Sequence, residues 1–413
     1  MSGGLFVVVF LARYLGPESF GLLNFSLAYV GIFLALVTLG FKDLIIRDLE
    51  YHNELQCEIL GSALLLSCLA SVLLYSFVVG GIYFLRPLDS LSISLVMILG
   101  LTILFKPIEV LSFWFEYKVE SKYFVIAQNI SFVVFSLLKI LLILTEASLN
   151  WIAYSFVGDA FLKSLLLLLF FCLKTNLLKR LKTSKKQIKR LISDCWPLLI
   201  SSFAIILYMR IDQIMIGQLT TDNEVGLYSA AARISEVWFF IPTIIVISVY
   251  PKLLKVKVTA PETYKNNIQA LLDFMVMISI PTAIFFSFFG GFFIALLFGP
   301  EFSGASDILA IHIWSSVPVF LGVVSSRWLI TAGLQKIIFY KTCFVCVLNV
   351  GLNLVLIPKY GAIGAAVATV ICQIFGTFVL DFFFNPVREI LVMKLRSLNI
   401  FLGFSRLLKF KVH

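Results

Sequence analysis

Residues 208–242 read YMRIDQIMIGQLTTDNEVGLYSAAARISEVWFFIP, and how this stretch is read decides the fold. It closes one apolar run, turns through a polar loop without Lys or Arg, and opens a second run. Arg210 and Asp212 lie in the first run, Arg233 and Glu236 in the second. A charge near the bilayer centre costs roughly 2.5–3.5 kcal/mol on insertion scales, so four in one helical hairpin predict either a shared polar interior or a site.

The rest of the chain supports the membrane reading. Hydrophobic residues make up 60% of the 413, charged residues 14%, and the mean hydropathy is +1.01. That leaves too little polar surface to coat a water-soluble globule. Continuous apolar runs of about 20 residues suit helices crossing about 30 Å of hydrocarbon, and they lack the alternation of a membrane barrel. Twelve spans are read, at 1–15, 21–40, 61–85, 91–115, 123–145, 149–173, 195–217, 225–250, 270–298, 306–332, 338–357 and 361–383. Pro107, Pro242, Pro281 and Pro318 fall inside them and are expected to kink their helices. The first span, ending at Gly16-Pro17, is only about 22 Å long as helix, so the start of the chain is expected to be missing. A signal peptide is the weaker reading, because no Lys or Arg precedes the apolar residues 5–12.

With the amino end placed in the cytoplasm, the inner loops hold 24 of the 33 Lys and Arg. The outer loops hold only Arg13, Arg86 and Lys359, an asymmetry that predicts cytoplasmic termini. The same asymmetry accounts for the net charge of +10 without nucleic acid. The basic loop after the sixth span is the domain boundary. Residues 1–173 form an amino-terminal six-helix lobe with a shortened first helix, 174–194 a basic cytoplasmic linker, 195–384 a second six-helix lobe, and 385–413 a basic cytoplasmic tail. Gly21-Leu22-Leu23 and Gly226-Leu227-Tyr228, like Pro107 and Pro318, occupy matching places in the two halves. Halves of six spans share one orientation, so the fold class is an all-α polytopic membrane protein, twelve helices in two lobes around a central cleft. The tail, whose apolar residues interleave with cations, suits either the anionic inner leaflet or solvent.

Lys106, Glu109, Lys139, Asp159, Lys163, Arg210, Asp212, Arg233, Glu236, Asp273, Arg327 and Asp381 fall within the spans. Asp273 and Asp381 lie near the inner surface and are expected to reach interfacial water. Lys106 with Glu109, Asp159 with Lys163, and Arg233 with Glu236 are three or four residues apart and share helix faces. Each is either a structural ion pair or part of a site. Arg210 and Asp212 point to different sides of their helix, and by depth they fall level with Arg233 and Glu236, which predicts one polar cluster. No GxxxxGK[ST], HExxH or GxSxG signature occurs, so no enzyme is predicted. His52, His312 and His413 are isolated, the lone Cys343/Cys346 CxxC reads as packing, and neither metal nor cofactor is expected.

Four segments carry a family resemblance: RYLGPESFGLL at 13–23, YMRIDQIMIGQ at 208–218, VGLYSAAARISEVWFFIP at 225–242, and NVGLNLVLIPKYGAIGAA at 349–366. Nearly the whole chain resembles the bacterial O-antigen flippases (Wzx-type), of the polysaccharide-transport branch of the multidrug/oligosaccharidyl-lipid/polysaccharide superfamily. The resemblance implies an inner-membrane transporter for an undecaprenyl-pyrophosphate-linked oligosaccharide, working among membrane lipids with polymerase and chain-length partners of the same pathway. An anionic headgroup needs cations, and Arg pairs phosphate bidentately. Arg210, Arg233, Arg327, Lys106 and Lys139 are therefore assigned to substrate, and Asp212, Glu236, Glu109 and Asp159 to charge balance or ion coupling. The alternatives are a multidrug antiporter of the same superfamily and a membrane-embedded polymerase or ligase; the short outer loops weigh against the latter.

Overall fold

A computed structural model describes residues 2–38 and 40–409, so His413 lies outside the described residues. Among them the ordered elements are helices and helical turns, with no strand. The chain forms two compact units, Met1–Ile214 and Met215–His413. Unit 1 comprises α1 (Ser2–Leu34), α2 (Phe41–Tyr51), α3 (Gln56–Leu85), α4 (Ser90–Gly100), α5 (Thr102–Phe105), α6 (Val110–Tyr117), α7 (Lys122–Leu144), α8 (Leu149–Lys174) and most of α9 (Lys185–Leu219). Unit 2 comprises α10 (Asp222–Trp238), α11 (Phe240–Thr259), α12 (Pro261–Phe298), α13 (Ala305–His312), α14 (Ser316–Thr331), α15 (Gln335–Ile374), α16 (Arg388–Ser397) and α17 (Ile400–Lys409).

Nine stretches among the described residues are long and apolar enough to cross a bilayer. Two of them, Gly4–Leu34 and Gln335–Phe383, each contain a non-helical glycine and correspond to two passes apiece. With α9 added, the twelve passes of the sequence reading are present. Gly16 (φ 69°) breaks α1 just before Pro17, and Gly361 (φ 58°) breaks α15 just after Pro358. Positive φ is open to Gly at no steric cost. Beyond Gly361 the helix restarts at Ala362, whose N–H donates to Glu224 Oε2 of α10 at 2.8 Å, an acid where the helix dipole favours one.

Three of the prolines expected to kink their helices stand at breaks within a pass. Pro107 sits in a 3₁₀ turn, Lys106–Glu109, that interrupts the fourth pass between α5 and α6. Pro242 follows the interruption at Phe239 inside the continuous apolar stretch Asp222–Lys257, and Pro318 follows the 3₁₀ turn Ile313–Ser315 inside Ala305–Thr331. Proline cannot donate to the carbonyl four residues back, so the helix is interrupted just ahead of it. Pro281 lies inside α12, which runs through it as one helix.

The core of unit 1 gathers Phe41, Trp114, Phe115 and Phe171; that of unit 2 gathers Tyr250, Tyr264, Met275 and Phe320. Large apolar side chains also cover the outside, for example Phe84 at 90% and Phe288 at 81% exposure. Such a surface suits a lipid solvent and makes the chain a multi-pass membrane protein.

The basic linker is stapled onto unit 1. Lys182 N–H donates to Cys57 O (3.2 Å), Ser184 N–H to Ser62 Oγ (3.1 Å), and Arg190 pairs with buried Asp48 of α2. Gly61 allows this approach, since a Cβ there would stand 2.3 Å from Lys182 O.

The tail corrects two expectations. It is not a free solvated segment, because it folds into α16 and α17 against α12; α17 still exposes Phe401, Phe404 and Leu408, as a segment lying on the inner leaflet would. Arg406 Nε and Nη2 donate to Asp273 Oδ2 and Oδ1 at 2.7 and 2.8 Å, and Gln269 Nε2 reaches Asp273 Oδ1 (2.9 Å), Met393 O (3.1 Å) and Ser397 Oγ (2.8 Å). Asp381 is held between Lys394 of α16 and Lys341 of α15. Asp273 and Asp381 thus do not reach interfacial water: their carboxylates are fully buried and neutralised by cations distant in sequence.

Candidate functional site

In unit 1 the break at Pro107 sets up a charged network. Pro107 has no backbone N–H to give to Ile103 O, four residues back, and the helix tightens there; close by, Phe105 O accepts from Ser164 Oγ of α8 at 3.0 Å. Glu109, at the end of the turn, accepts through Oε2 from Lys106 Nζ at 2.7 Å and from Lys163 Nζ of α8 at 3.4 Å. All three side chains are between 21% and 28% exposed, screened from bulk solvent but not sealed. The expected pairing of Lys163 with Asp159 on its own helix gives way to this longer-range contact.

Asp159 is engaged differently. Its backbone carbonyl accepts from Ser131 Oγ of α7 at 2.7 Å, and its carboxylate accepts from the same hydroxyl. Lys139 of α7, 7% exposed, lies within the field of Asp159 and holds its ammonium 3.8 Å from the ring centroid of Phe156. An aromatic face attracts a cation that has lost its water. Beside these charges is a cavity of about 530 Å³, walled by α1, α4, α5, α7 and α8, with Thr102, Gln128, Asn129, Asp159 and Lys163 on its lining. Its volume lies within the range of about 300–1,000 Å³ usual for small-molecule sites.

The remaining expected residues fall on α9, α10 and α14. Arg210 and Asp212 lie on α9, Arg210 half-buried and Asp212 6% exposed. Arg233 and Glu236, both half-buried, occupy successive turns of α10 in unit 2. Arg327 is exposed on α14, and no ion pair closes on it among the described residues.

Sequence reasoning missed His312. It was expected to be isolated, yet it is buried at the end of α13 with Nδ1 2.7 Å from Ser235 Oγ of α10 and its ring edge-on to Tyr228 at 5.7 Å. Both partners are more than 70 residues away, beyond any local spacing rule. Gln128 and Asn129 were also missed; two adjacent amides inside a membrane span were the available signal. No group of three His, Cys, Asp or Glu that could hold a metal occurs among the described residues.

The sequence profile of the family described as "Polysaccharide biosynthesis protein" matches residues 4–257. The chain belongs to that family. The match takes in the Glu109 network, the cavity, and both charged runs on α9 and α10. A Shigella flexneri protein provisionally named as an O-antigen transporter is 22% identical over 388 residues, covering 91% of this chain and 92% of its own. Among solved structures, the inward closed conformation of the lipid II flippase MurJ superposes with a TM-score of 0.74 at 17% identity, covering all of this chain and 91% of its own. An inward-facing multidrug-resistance MATE transporter of the MOP superfamily gives 0.68 at 15% identity, covering 99% of this chain and 96% of its own. Identities this low establish a fold shared with these transporters and nothing further.

Proposed function

We propose that the chain is a lipid-linked oligosaccharide flippase. It moves an undecaprenyl-pyrophosphate-linked O-antigen or polysaccharide repeat unit from the cytoplasmic to the periplasmic leaflet of a bacterial inner membrane by ion-coupled alternating access. Membership of the polysaccharide biosynthesis family supports the reading, as do relatives named for O-antigen and lipid II transport. The observation that carries it is the charge balance inside unit 1, where three ammonium groups, Lys106, Lys139 and Lys163, stand among two carboxylates, Glu109 and Asp159. A surplus cation at membrane depth is costly without an anion to meet, and a pyrophosphate headgroup is such an anion. The glycan crosses through a polar interior while the polyprenyl tail stays in lipid. Arg210, Arg233 and Arg327 serve the headgroup or glycan alongside the lysines, and Asp212 and Glu236 balance charge or couple an ion. The cation asymmetry of the loops supports a cytoplasmic location for both termini.

The MATE-like fold keeps multidrug antiport as the competing reading. The test is complementation of a strain that lacks its own flippase, scored for surface polysaccharide, protein abundance and drug tolerance. The wild-type chain should restore polysaccharide. Arg210→Ala should abolish it at normal abundance, and Arg210→Lys should retain part because charge survives though the planar fork is lost. Changed drug tolerance without polysaccharide would overturn the flippase reading. Recovery of both abundance and polysaccharide in Arg210→Ala/Asp212→Ala would overturn the role given to Arg210.

A further inference from the structure

The cavity in unit 1 is not itself an anion trap. Its two ionisable lining groups, Asp159 and Lys163, are opposite in charge and already engaged, Lys163 with Glu109 and Asp159 with Ser131 and the field of Lys139. What remains open on the lining is neutral hydrogen-bonding capacity. Gln128 and Asn129 of α7 are exposed to the cavity, and neither side chain makes a hydrogen bond among the described residues. Each amide offers two donors and an acceptor with two lone pairs. Thr102 donates its hydroxyl proton to Leu99 O at 2.7 Å, which leaves its lone pairs free to accept. Two amides inside a membrane span are costly to leave facing lipid, so their placement on a cavity keeps them available to water or to a polar ligand.

The walls narrow the ligand class. Phe132 and Phe156 share the lining with the polar groups, as do Leu27, Val30 and Leu34 of α1. One face of a matching ligand must therefore present several hydroxyls or amides, and another must be lined with C–H bonds. A pyranose ring has both faces, and the volume of about 530 Å³ admits a short oligosaccharide but not a long chain.

From these features we infer that this cavity is a glycan subsite, in which Gln128 and Asn129 read the hydroxyls of one or two neutral sugar residues while the lysine network beside it meets the pyrophosphate. The inference rests on the flippase reading and deepens it. Sugar selectivity then resides on α7, apart from the charges that hold the headgroup. A site built to hydrogen-bond hydroxyls discriminates against analogues that lack them, because amides enclosed by the bound ligand would be left unpaired.

The full-length protein in lipid nanodiscs, probed by saturation-transfer NMR, tests this with two soluble ligands: methyl glycosides of repeat-unit disaccharides and inorganic pyrophosphate. At least one disaccharide should bind, and Gln128→Leu and Asn129→Leu, checked for monodisperse elution, should each weaken it at least tenfold. Inorganic pyrophosphate should leave the bound disaccharide in place. Three results would overturn the subsite: no disaccharide in the panel binding, equal binding by wild type and both variants, or displacement by pyrophosphate. Complementation by the wild-type chain separates the two readings. Restored surface polysaccharide with any of those three results rejects the subsite alone, whereas no restoration in any host rejects the flippase reading itself.

Discussion

Replacing Glu109 with Gln removes the carboxylate that two lysines share. At an effective dielectric of about 20, its contacts at 2.7 and 3.4 Å correspond to about 6 and about 5 kcal/mol of Coulomb attraction before desolvation is subtracted. Desolvating the ions takes back several kcal/mol each, so the pair terms are not a net stability. The cost of the substitution is instead that of leaving Lys106 and Lys163 uncompensated, about 3–5 kcal/mol for a buried pair. With each side chain about a quarter exposed, water relieves part of this and places the effect near the lower end, about 3 kcal/mol. For a unit of this size that corresponds to a fall of about 6–12 °C in melting temperature. Lys163→Met should cost less, because Lys106 still neutralises Glu109, and Glu109→Gln combined with Lys163→Gln should recover part of the single loss. Fluorescence-detected size-exclusion melting in detergent measures all three, with surface polysaccharide scored in parallel. If Glu109→Gln left melting and abundance unchanged while abolishing transport, the reasoning would be wrong: the carboxylate would be acting on an ion rather than clamping two lysines.

Other consequences can be tested directly. Arg406→Ala leaves Asp273 with Gln269 alone and should cost about 1.5–3 kcal/mol, seen as faster proteolysis of residues 388–409; Arg406→Lys should restore part of the protection, and unchanged digestion would show that the fork does not hold the tail. Lys394 lies outside the spans, and burial, aided by neighbouring Lys341, pushes its ammonium down to about 8 from 10.5 against the opposing pull of Asp381. Between those values the unfolded chain binds the proton that the folded chain has given up, so stability should rise with pH from about 8 to about 10.5; Lys394→Met should flatten that rise, and identical slopes would refute the assignment. A topology reporter within residues 182–186 should read cytoplasm and one within 220–223 periplasm, and the reverse would sink the orientation taken from the loops.

How much of this could be seen in the sequence depended on how local each cause is. Hydropathy accumulates along the chain, so the passes could be counted, and Gly16-Pro17 marks a helix break without any knowledge of neighbours. The inward face of each helix could not be read, because lipid is as apolar as a protein core and Phe84 looks in sequence like Phe171. Helical spacing correctly joined Lys106 to Glu109 but offered Asp159 to Lys163, which found Glu109 instead at a separation of 54 residues. Spacing states which partners are permitted; folding chooses among them and the rest of the chain.

The tail shows where a sharper rule was available. Asp273 and Asp381 have no cation three or four residues away on either side, so neither could be neutralised within its own helix. Treating them as reaching water avoided that cost only by assuming a depth. The segment after residue 385 carries more cations than its own acids can meet, and an amphipathic segment with unmatched charge needs a surface. Unmatched acids in membrane helices and unmatched cations in a neighbouring segment are complementary halves of one problem, and docking the tail solves both at once. Arg406 on Asp273 and Lys394 on Asp381 are that solution. The same accounting points back to unit 1, where three ammonium groups face two carboxylates and, among the described residues, no further acid of the unit closes the balance. In the tail the chain supplies the missing partner itself; beside the cavity, on the flippase function proposed above, the partner that fits is the phosphate of a lipid-linked substrate.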